Sequence, residues 1–160
     1  MHFFSSKFKI GILGGGQLGK MLLFDSKRYD LHTKVMDPNK NAPCNNIADE
    51  FIVGNLNDYN DVINFGKLVD IITIEIENVN TDALEYLEKI GKKVYPPSSA
   101  IKIIQNKCEQ KAFYKSNNLP TSAFTNYFSL SDLKEDLKKE NLKFPFVWKS
   151  AKFGYDGKGV

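Results

Sequence analysis

The feature that most constrains the fold is a glycine-rich turn between an apolar segment and an amphipathic one. The apolar segment covers residues 8–13, and the turn that follows reads LGGGQLG. From Gln17 to Arg28, apolar residues recur at near-helical spacing. The glycines that satisfy the pattern G-x-G-x-x-G are Gly14, Gly16 and Gly19. Such glycines permit a tight turn and let backbone N–H groups approach a phosphate, so the stretch predicts a strand, a phosphate-binding turn and a helix.

Strand and helix patterns continue to alternate as far as residue 96. Further strands are predicted at 33–37, 51–54, 70–78 and 92–96, and helices at 58–69 and 81–90. Strands that alternate with helices at this spacing form βαβ units, whose strands are parallel and covered by helices on both faces. The predicted fold class is therefore α/β, with a Rossmann-like parallel sheet.

A second region is predicted after Pro96-Pro97, because two prolines interrupt the pattern there. Residues 98–118 have a helical pattern that fits one or two helices. Predicted strands at 123–128 and 144–150 flank a predicted helix at 129–141. We therefore predict two domains, residues 1–97 and 98–160.

The charge distribution indicates which classes of partner the chain could bind. Its net charge is +3, with 8 Lys and Arg against 10 Asp and Glu in residues 1–80, and 14 against 9 in residues 81–160. A nucleic-acid surface needs clustered basic residues, so no nucleic-acid partner is predicted. The basic second half would attract a polyanion, although solvated surface lysines explain the same excess.

The sequence also argues against a membrane or extracellular setting. It contains no apolar run of about 20 residues, so no membrane span is predicted. Cys44 and Cys108 are far apart and lack the spacing of a zinc site or a disulfide framework. They are interpreted as reduced thiols of a cytoplasmic protein.

Acidic residues at the ends of two predicted strands are candidates for ligand binding. Asp37 stands where the dinucleotide fingerprint places an acid against a ribose hydroxyl, or it simply ends its strand. Glu75 and Glu77 share one face at the end of DIITIEIEN, where they would accept hydrogen bonds from an amine or hydroxyls. The alternative for this pair is a strand face exposed to water. His2 and His32 lack ligand-spaced partners, so no metal site is predicted in this chain.

The C-terminal stretch FVWKSAKFGYDGKG is the second candidate site. It places Lys149 in a predicted apolar strand, directly before a basic loop with three glycines. A fixed charge beside mobile backbone N–H groups suits a triphosphate, although the P-loop pattern G-x-x-x-x-G-K-[ST] has no match here. The alternative is a lysine with a buried stem, followed by a hairpin turn.

These residues resemble the ATP-grasp enzymes, and among them the 5-(carboxyamino)imidazole ribonucleotide synthases of purine biosynthesis. Four stretches carry the resemblance: GILGGGQLGKML, TIEIENV, IIQNKCEQKAFYKSNNLPT and FVWKSAKFGYDGKG. The resemblance implies that residues 1–97 form a Rossmann-like, pre-ATP-grasp domain that binds the substrate. It implies that residues 98–160 begin an incomplete ATP-grasp domain, with linker helices and a small lid subdomain.

The resemblance also implies roles for particular residues. Five would bind the ribonucleotide, with its phosphate near the helix start and its ribose or aminoimidazole facing the glutamate: Gly15, Gly16, Gln17, Leu18 and Glu75. Nine would bind ATP: Lys107, Lys149, Gly154, Tyr155, Asp156, Gly157, Lys158, Gly159 and Val160. Tyr155 and Asp156 would in addition approach the substrate as catalytic residues. Family members commonly carry arginine where Lys107 stands and glycine where Phe153 stands, so this chain keeps the charge at 107 without the bidentate geometry.

The implied reaction is the ATP-dependent carboxylation of 5-aminoimidazole ribonucleotide with bicarbonate, through carboxyphosphate. ATP and Mg²⁺ are the implied cofactors, and a cytoplasmic homodimer is the implied state of the full-length enzyme. The adenine pocket and the metal ligands would follow residue 160, so we expect no turnover by this chain alone. Two alternatives remain open: an NAD-dependent oxidoreductase that uses the glycine turn, and a non-catalytic nucleotide-binding module.

Overall fold

The computed structural model describes residues 7–152 and 154, and the chain divides into two compact units, Met1–Lys102 and Ile103–Val160. The first unit contains a five-stranded sheet in which every adjacent pair of strands is parallel. The strands are β1 (Lys9–Leu13), β2 (His32–Asp37), β3 (Glu50–Val53), β4 (Ile71–Ile74) and β5 (Lys93–Tyr95). Their order across the sheet is β3-β2-β1-β4-β5. The predicted α/β class with a Rossmann-like parallel sheet is confirmed.

Six helices accompany the strands in the described residues. They are α1 (Gln17–Arg28), α2 (Tyr59–Lys67), α3 (Thr81–Lys89), α4 (Ser98–Gln105), α5 (Lys107–Ser116) and α6 (Leu130–Lys138). Local capping explains where several of them begin. The Asn80 side chain accepts a hydrogen bond from the backbone N–H of Ala83, 2.9 Å away, and Asp58 does the same for two N–H groups at the start of α2. The helical stretch predicted at 98–118 is two helices, because Asn106 ends one and caps the next.

The hydrophobic core lies on both faces of the sheet. Along β1 the fully buried Ile12 and Leu13 belong to two different clusters, as expected from the alternation of side chains along a strand. The larger cluster packs under α2 and α3. These two helices are also close to each other, since a Cβ at Gly66 would lie 2.4 Å from Leu87 Cδ1. The smaller cluster contains Leu23 of α1, so α1 covers the opposite face.

The second unit has a different character. Its described residues contain α5 and α6 but no strand, so the strands predicted at 123–128 and 144–150 are wrong. A strand persists only when a neighbour pairs with its backbone, and in the described part of this unit neither segment has one. The two segments nevertheless lie close together, since the rings of Tyr127 and Trp148 stack with centroids 6.4 Å apart. No helix in the described residues is long and apolar enough to cross a membrane.

Candidate functional site

The first candidate site lies where the strand order of the sheet reverses. β1 is hydrogen-bonded to β2 on one side and to β4 on the other, so the chain crosses over from one side of β1 to the other. Leu13 and Ile74 are register partners at the carboxyl ends of β1 and β4, and the backbone N–H of Glu75 donates to Leu13 O at 2.8 Å. Open α/β sheets bind ligands in the crevice at this switch point. The glycine turn follows one of these strands, and Glu75 follows the other.

The Glu75 carboxylate lies directly on the glycine turn. A Cβ added at Gly14 would lie 2.6 Å from Glu75 Oε2, and a Cβ added at Gly16 would lie 2.6 Å from Oε1. Gly14 also has φ of +101°, which side-chain-bearing residues rarely adopt. The N–H of Gly19 donates to Oε1 at 3.4 Å. The glycines therefore make room for a carboxylate contributed by the neighbouring strand.

This carboxylate supplies negative charge at the N-terminus of α1. The first turn of α1 contains no acidic residue, and its N-cap, Gly16, makes no side-chain capping bond. An anion at this end of a helix is favourable because the partial charge there is positive. Glu75 is distant in sequence but close in space, and it thus provides the negative charge that an Asp or Glu in the first turn of a helix usually provides.

Three backbone donors remain available beside Glu75. In the part of the chain that the structure describes, the N–H groups of Gly16, Gln17 and Leu18 have no hydrogen-bond partner. Gln17 and Leu18 are exposed, and the Leu18 residue has 67% of its surface accessible. Gly16, Gln17, Leu18 and Glu75 therefore lie together, as a shared site requires. Gly15 is adjacent but buried, and its own polar groups are used inside the protein.

Gly15 is held by the segment that follows β2. Its N–H donates to Asp37 Oδ2 at 2.7 Å, and its carbonyl accepts from the Cys44 N–H at 3.1 Å. The other oxygen of Asp37 accepts from the N–H of Asn39 at 2.8 Å. Both carboxylate oxygens of Asp37 thus stabilise backbone, which accounts for this acid without a dinucleotide ribose. The sequence alone could not reveal the contact between Gly15 and Cys44, because no local pattern links residues so far apart in the chain.

The same arrangement affects the protonation of the Cys44 thiol, which lies beneath the turn. Burial raises the pKa of the Cys44 thiol to about 11, and the negative charges of Glu75 and Asp37 add to the effect. The Cys44 Sγ donates weakly to Gly16 O at 3.6 Å. Cys44 is buried under the turn, where its neutral thiol form is favoured.

The strand predicted at 70–78 is shorter in the structure and does not include Glu75 or Glu77. β4 ends at Ile74, so the strict alternation that would place Glu75 and Glu77 side by side stops before both residues. Residues 75–77 form a bend, and the Val79 N–H donates to Glu77 O at 2.9 Å. Glu75 contacts the glycine turn, through Gly14, Gly16 and Gly19.

The second candidate site belongs to the second unit. The N–H of Lys107, at the start of α5, donates to Ala151 O at 2.7 Å. This bond joins α5 to the segment that connects Lys149 to Gly154. Within the described residues, neither the Lys107 nor the Lys149 ammonium has a hydrogen-bond or ion-pair partner, and Lys149 is exposed. Two uncompensated cations near one short segment would attract an anion.

Other predicted ATP-binding residues fall outside the described part of the chain. They are Tyr155, Asp156, Gly157, Lys158, Gly159 and Val160, which include both predicted catalytic residues. In the described residues no three His, Cys, Asp or Glu side chains converge as metal ligands.

Similarity to known proteins agrees with this geometry. Residues 7–105 match the ribonucleotide synthetase pre-ATP-grasp domain. The chain belongs to this pre-ATP-grasp family. Over 155 residues it is 39% identical to the N5-carboxyaminoimidazole ribonucleotide synthase of Saccharolobus solfataricus, covering 96% of this chain and 40% of that protein.

Two solved structures extend the similarity to three dimensions. The N5-carboxyaminoimidazole synthetase of Staphylococcus aureus complexed with ADP matches with a TM-score of 0.87 and 33% identity, over 96% of this chain and 41% of that one. The synthase of Aspergillus clavatus in complex with ADP and 5-aminoimidazole ribonucleotide matches with a TM-score of 0.82 and 31% identity, over 92% and 39%. The resemblance to this group of synthases is confirmed. The chain spans about two fifths of the length of these relatives.

Proposed function

We propose that this chain is part of an ATP-dependent N5-carboxyaminoimidazole ribonucleotide synthase, and that its first unit binds 5-aminoimidazole ribonucleotide. The observation that carries the proposal is the position of the Glu75 carboxylate beside three N–H donors that have no partner among the described residues, at the switch point of the sheet. A ribonucleotide offers hydroxyls and an amine to the carboxylate, and its phosphate and oxygens to the donors. The solved relative from Aspergillus clavatus, which binds this ribonucleotide, supports the same assignment.

The residues of the first site divide these tasks. Gly16, Gln17 and Leu18 donate backbone N–H groups to the ligand, with the phosphate at the Gln17–Leu18 end of the turn. Glu75 accepts hydrogen bonds from the ribose or the aminoimidazole amine. Gly15 contributes its backbone to the shape of the turn. Because the donors are backbone groups of a helix start, they are already oriented before the ligand arrives.

The second unit would hold ATP. Lys107 and Lys149 supply the positive charge, and Gly154, with the residues through Val160, supplies a glycine-rich loop over the phosphates. In the proposed reaction a bicarbonate oxygen attacks the γ-phosphorus and ADP leaves, which forms carboxyphosphate. The substrate amine then attacks the carboxyl carbon and inorganic phosphate leaves, with loss of the amine proton. Charge develops on the transferring phosphoryl group, so positioned cations lower the barrier. Mg²⁺ would add charge neutralisation when bound.

The domain division and the cellular setting are also proposals. We propose substrate binding by residues 1–97 and the start of an ATP-grasp domain at 98–160, with Tyr155 and Asp156 as catalytic residues. Two free cysteines suit a reducing compartment such as the cytoplasm. We propose a homodimer for the whole enzyme, on the resemblance alone.

Thermal melting of the chain with single ligands tests the proposal. A ligand that binds only the folded state raises the midpoint. We expect 5-aminoimidazole ribonucleotide and ATP to raise it and NAD to leave it unchanged. Glu75→Gln should remove most of the ribonucleotide shift, whereas Glu85→Gln, at a partly exposed glutamate of α3 that pairs with Lys89 and Lys102, should preserve it. A shift with NAD alone, or no shift with the ribonucleotide, would contradict the proposed function.

A further inference from the structure

The segment between Asp37 and Cys44 contacts the glycine turn on the side away from Glu75. Gly15 leaves no space there, because a Cβ would lie 3.1 Å from Asp37 Cβ, 3.2 Å from Ala42 Cβ and 3.3 Å from Phe51 Cε2. Both backbone polar groups of Gly15 are bonded to this segment. The turn is therefore held from behind while its next three residues face outwards.

The two bonds to Gly15 orient two successive peptide planes. The Gly15 N–H belongs to the peptide between Gly14 and Gly15, and Asp37 fixes that plane. The Gly15 carbonyl belongs to the peptide between Gly15 and Gly16, and the Cys44 N–H fixes that one. Because a peptide is planar, fixing the Gly15 carbonyl also sets the direction of the Gly16 N–H. That N–H is the first of the three donors available to a ligand.

The Asp37 carboxylate is connected to both bonds, to the first directly and to the second through the segment that follows it. Its second oxygen accepts from the Asn39 N–H, which starts a series of turns. The Ala42 N–H donates to Asn39 O at 2.9 Å, and this series leads to Cys44. Loss of the carboxylate would therefore release the Gly15 N–H directly and loosen the segment that presents the Cys44 N–H.

We propose that Asp37 is a positioning residue for the ribonucleotide site: it fixes the glycine turn from behind so that the Gly16, Gln17 and Leu18 N–H groups converge on the ligand. The inference rests on the proposed function for the identity of the ligand. It gives Asp37 a role without contact to that ligand, in contrast to the ribose contact that the dinucleotide pattern predicts.

The chain offers a matched control at the opposite end of β2. Asp49 accepts from the Thr33 N–H at 2.7 Å, the same distance as the bond from Gly15 to Asp37, and it also pairs with Lys27. Burial raises the pKa of Asp49, but hydrogen bonds from Lys27 and Thr33 outweigh it and hold that pKa below its usual value. Asp49 is thus a carboxylate bonded to a backbone N–H of the same sheet, near the amino-terminal end of β2.

The first experiment measures the affinity of Asp37→Ala, Asp37→Asn and Asp49→Ala for 5-aminoimidazole ribonucleotide by titration calorimetry, with unfolding measured in parallel. We expect Asp37→Ala to weaken binding about tenfold or more, Asp37→Asn to recover part of that loss through its remaining carbonyl oxygen, and Asp49→Ala to change binding less than threefold. If Asp37→Ala and Asp49→Ala weaken binding equally, or if neither does, the positioning role is wrong.

The second measurement separates this proposal from the proposed function. In the unliganded chain, amide NMR signals of residues 15–18 should move and exchange faster in Asp37→Asn, and should stay unchanged in Asp49→Ala. If the unaltered chain does not bind the ribonucleotide, the proposed function fails, and these signals alone decide the role of Asp37. Signals at 15–18 that respond equally to both substitutions would overturn it.

Discussion

The two units of the chain differ in how their helices are stabilised. In the first unit α2 and α3 each bury several residues against a parallel sheet, and their buried side chains include Val62, Phe65, Leu84 and Leu87. In the second unit α5 and α6 bury no residue at all. Large apolar side chains there are exposed instead, such as Phe128 at 91%.

This difference separates local from tertiary stabilisation. The helices of the second unit have good caps, since Asn106 accepts from the Cys108 N–H at 3.0 Å and Ser129 from the Asp132 N–H at 3.1 Å. Caps and spacing of charges define where a helix begins, but most helical stability in proteins comes from packing an apolar face. The first unit has both contributions, whereas the described part of the second unit has mainly the local one.

Core truncation should give the largest contrast between the units. Leu84→Ala removes a fully buried side chain from the core and should lower the free energy of unfolding of the first unit by about 2–5 kcal/mol. Leu130→Ala changes an exposed residue of α6 and should cost within about 0.5 kcal/mol. Amide hydrogen exchange of β1 and α6 peptides in denaturant measures each unit separately. If the two substitutions lowered the free energy of unfolding equally, α6 would have a core of its own.

The two cysteines should differ strongly in how fast they are alkylated. With its pKa raised to about 11, Cys44 has far less thiolate at pH 8 than a thiol of ordinary pKa near 8.5, by a factor on the order of a hundred. Burial reduces its access further, whereas Cys108 is partly exposed. We expect iodoacetamide to label Cys108 first by mass spectrometry, with Cys44 labelling increasing as the pH rises towards 11. Comparable rates at pH 8 in the folded chain would contradict the buried position of Cys44.

Removal of a helix cap should have similar local costs but different consequences. Asn80→Ala in the first unit and Ser129→Ala in the second each lose a capping bond worth about 1 kcal/mol. We expect α3 to remain helical because its packed face holds it, and α6 to lose measurable protection in its first turn. Hydrogen exchange resolved by peptide tests this. Greater fraying in α3 than in α6 would reverse the interpretation of the two units.

The smallest effect on stability is expected at the candidate ATP site. Lys149→Ala alters an exposed side chain with no partner in the described residues. The midpoint of unfolding of the chain should therefore not change measurably. The same substitution should weaken ATP binding about tenfold, while Lys107→Arg should retain or tighten it through bidentate contacts with phosphate. Fluorescence of Trp148, the single tryptophan, provides the binding signal. Unchanged ATP affinity in Lys149→Ala would remove this lysine from the site.

Much of the fold could be predicted because the relevant signals are local. The boundaries of α1 match the structure, since helical spacing depends on neighbouring residues. The strands predicted in the second unit failed for the opposite reason. The apolar pattern of 144–150 is typical of a strand, but a strand also depends on a partner that no local pattern specifies.

The sequence by itself determined the alternation of strands and helices, the glycine turn after β1 and the presence of an acid after β4. Only the tertiary structure decided what the glycines accommodate. The Glu75 carboxylate contacts Gly19, 56 residues earlier in the chain, because β4 pairs with β1 and not with β3. Asp37 likewise meets Gly15 because β2 pairs with the other side of β1. Residue patterns encode local conformation, whereas the order of the strands in the sheet brings these two carboxylates to one turn.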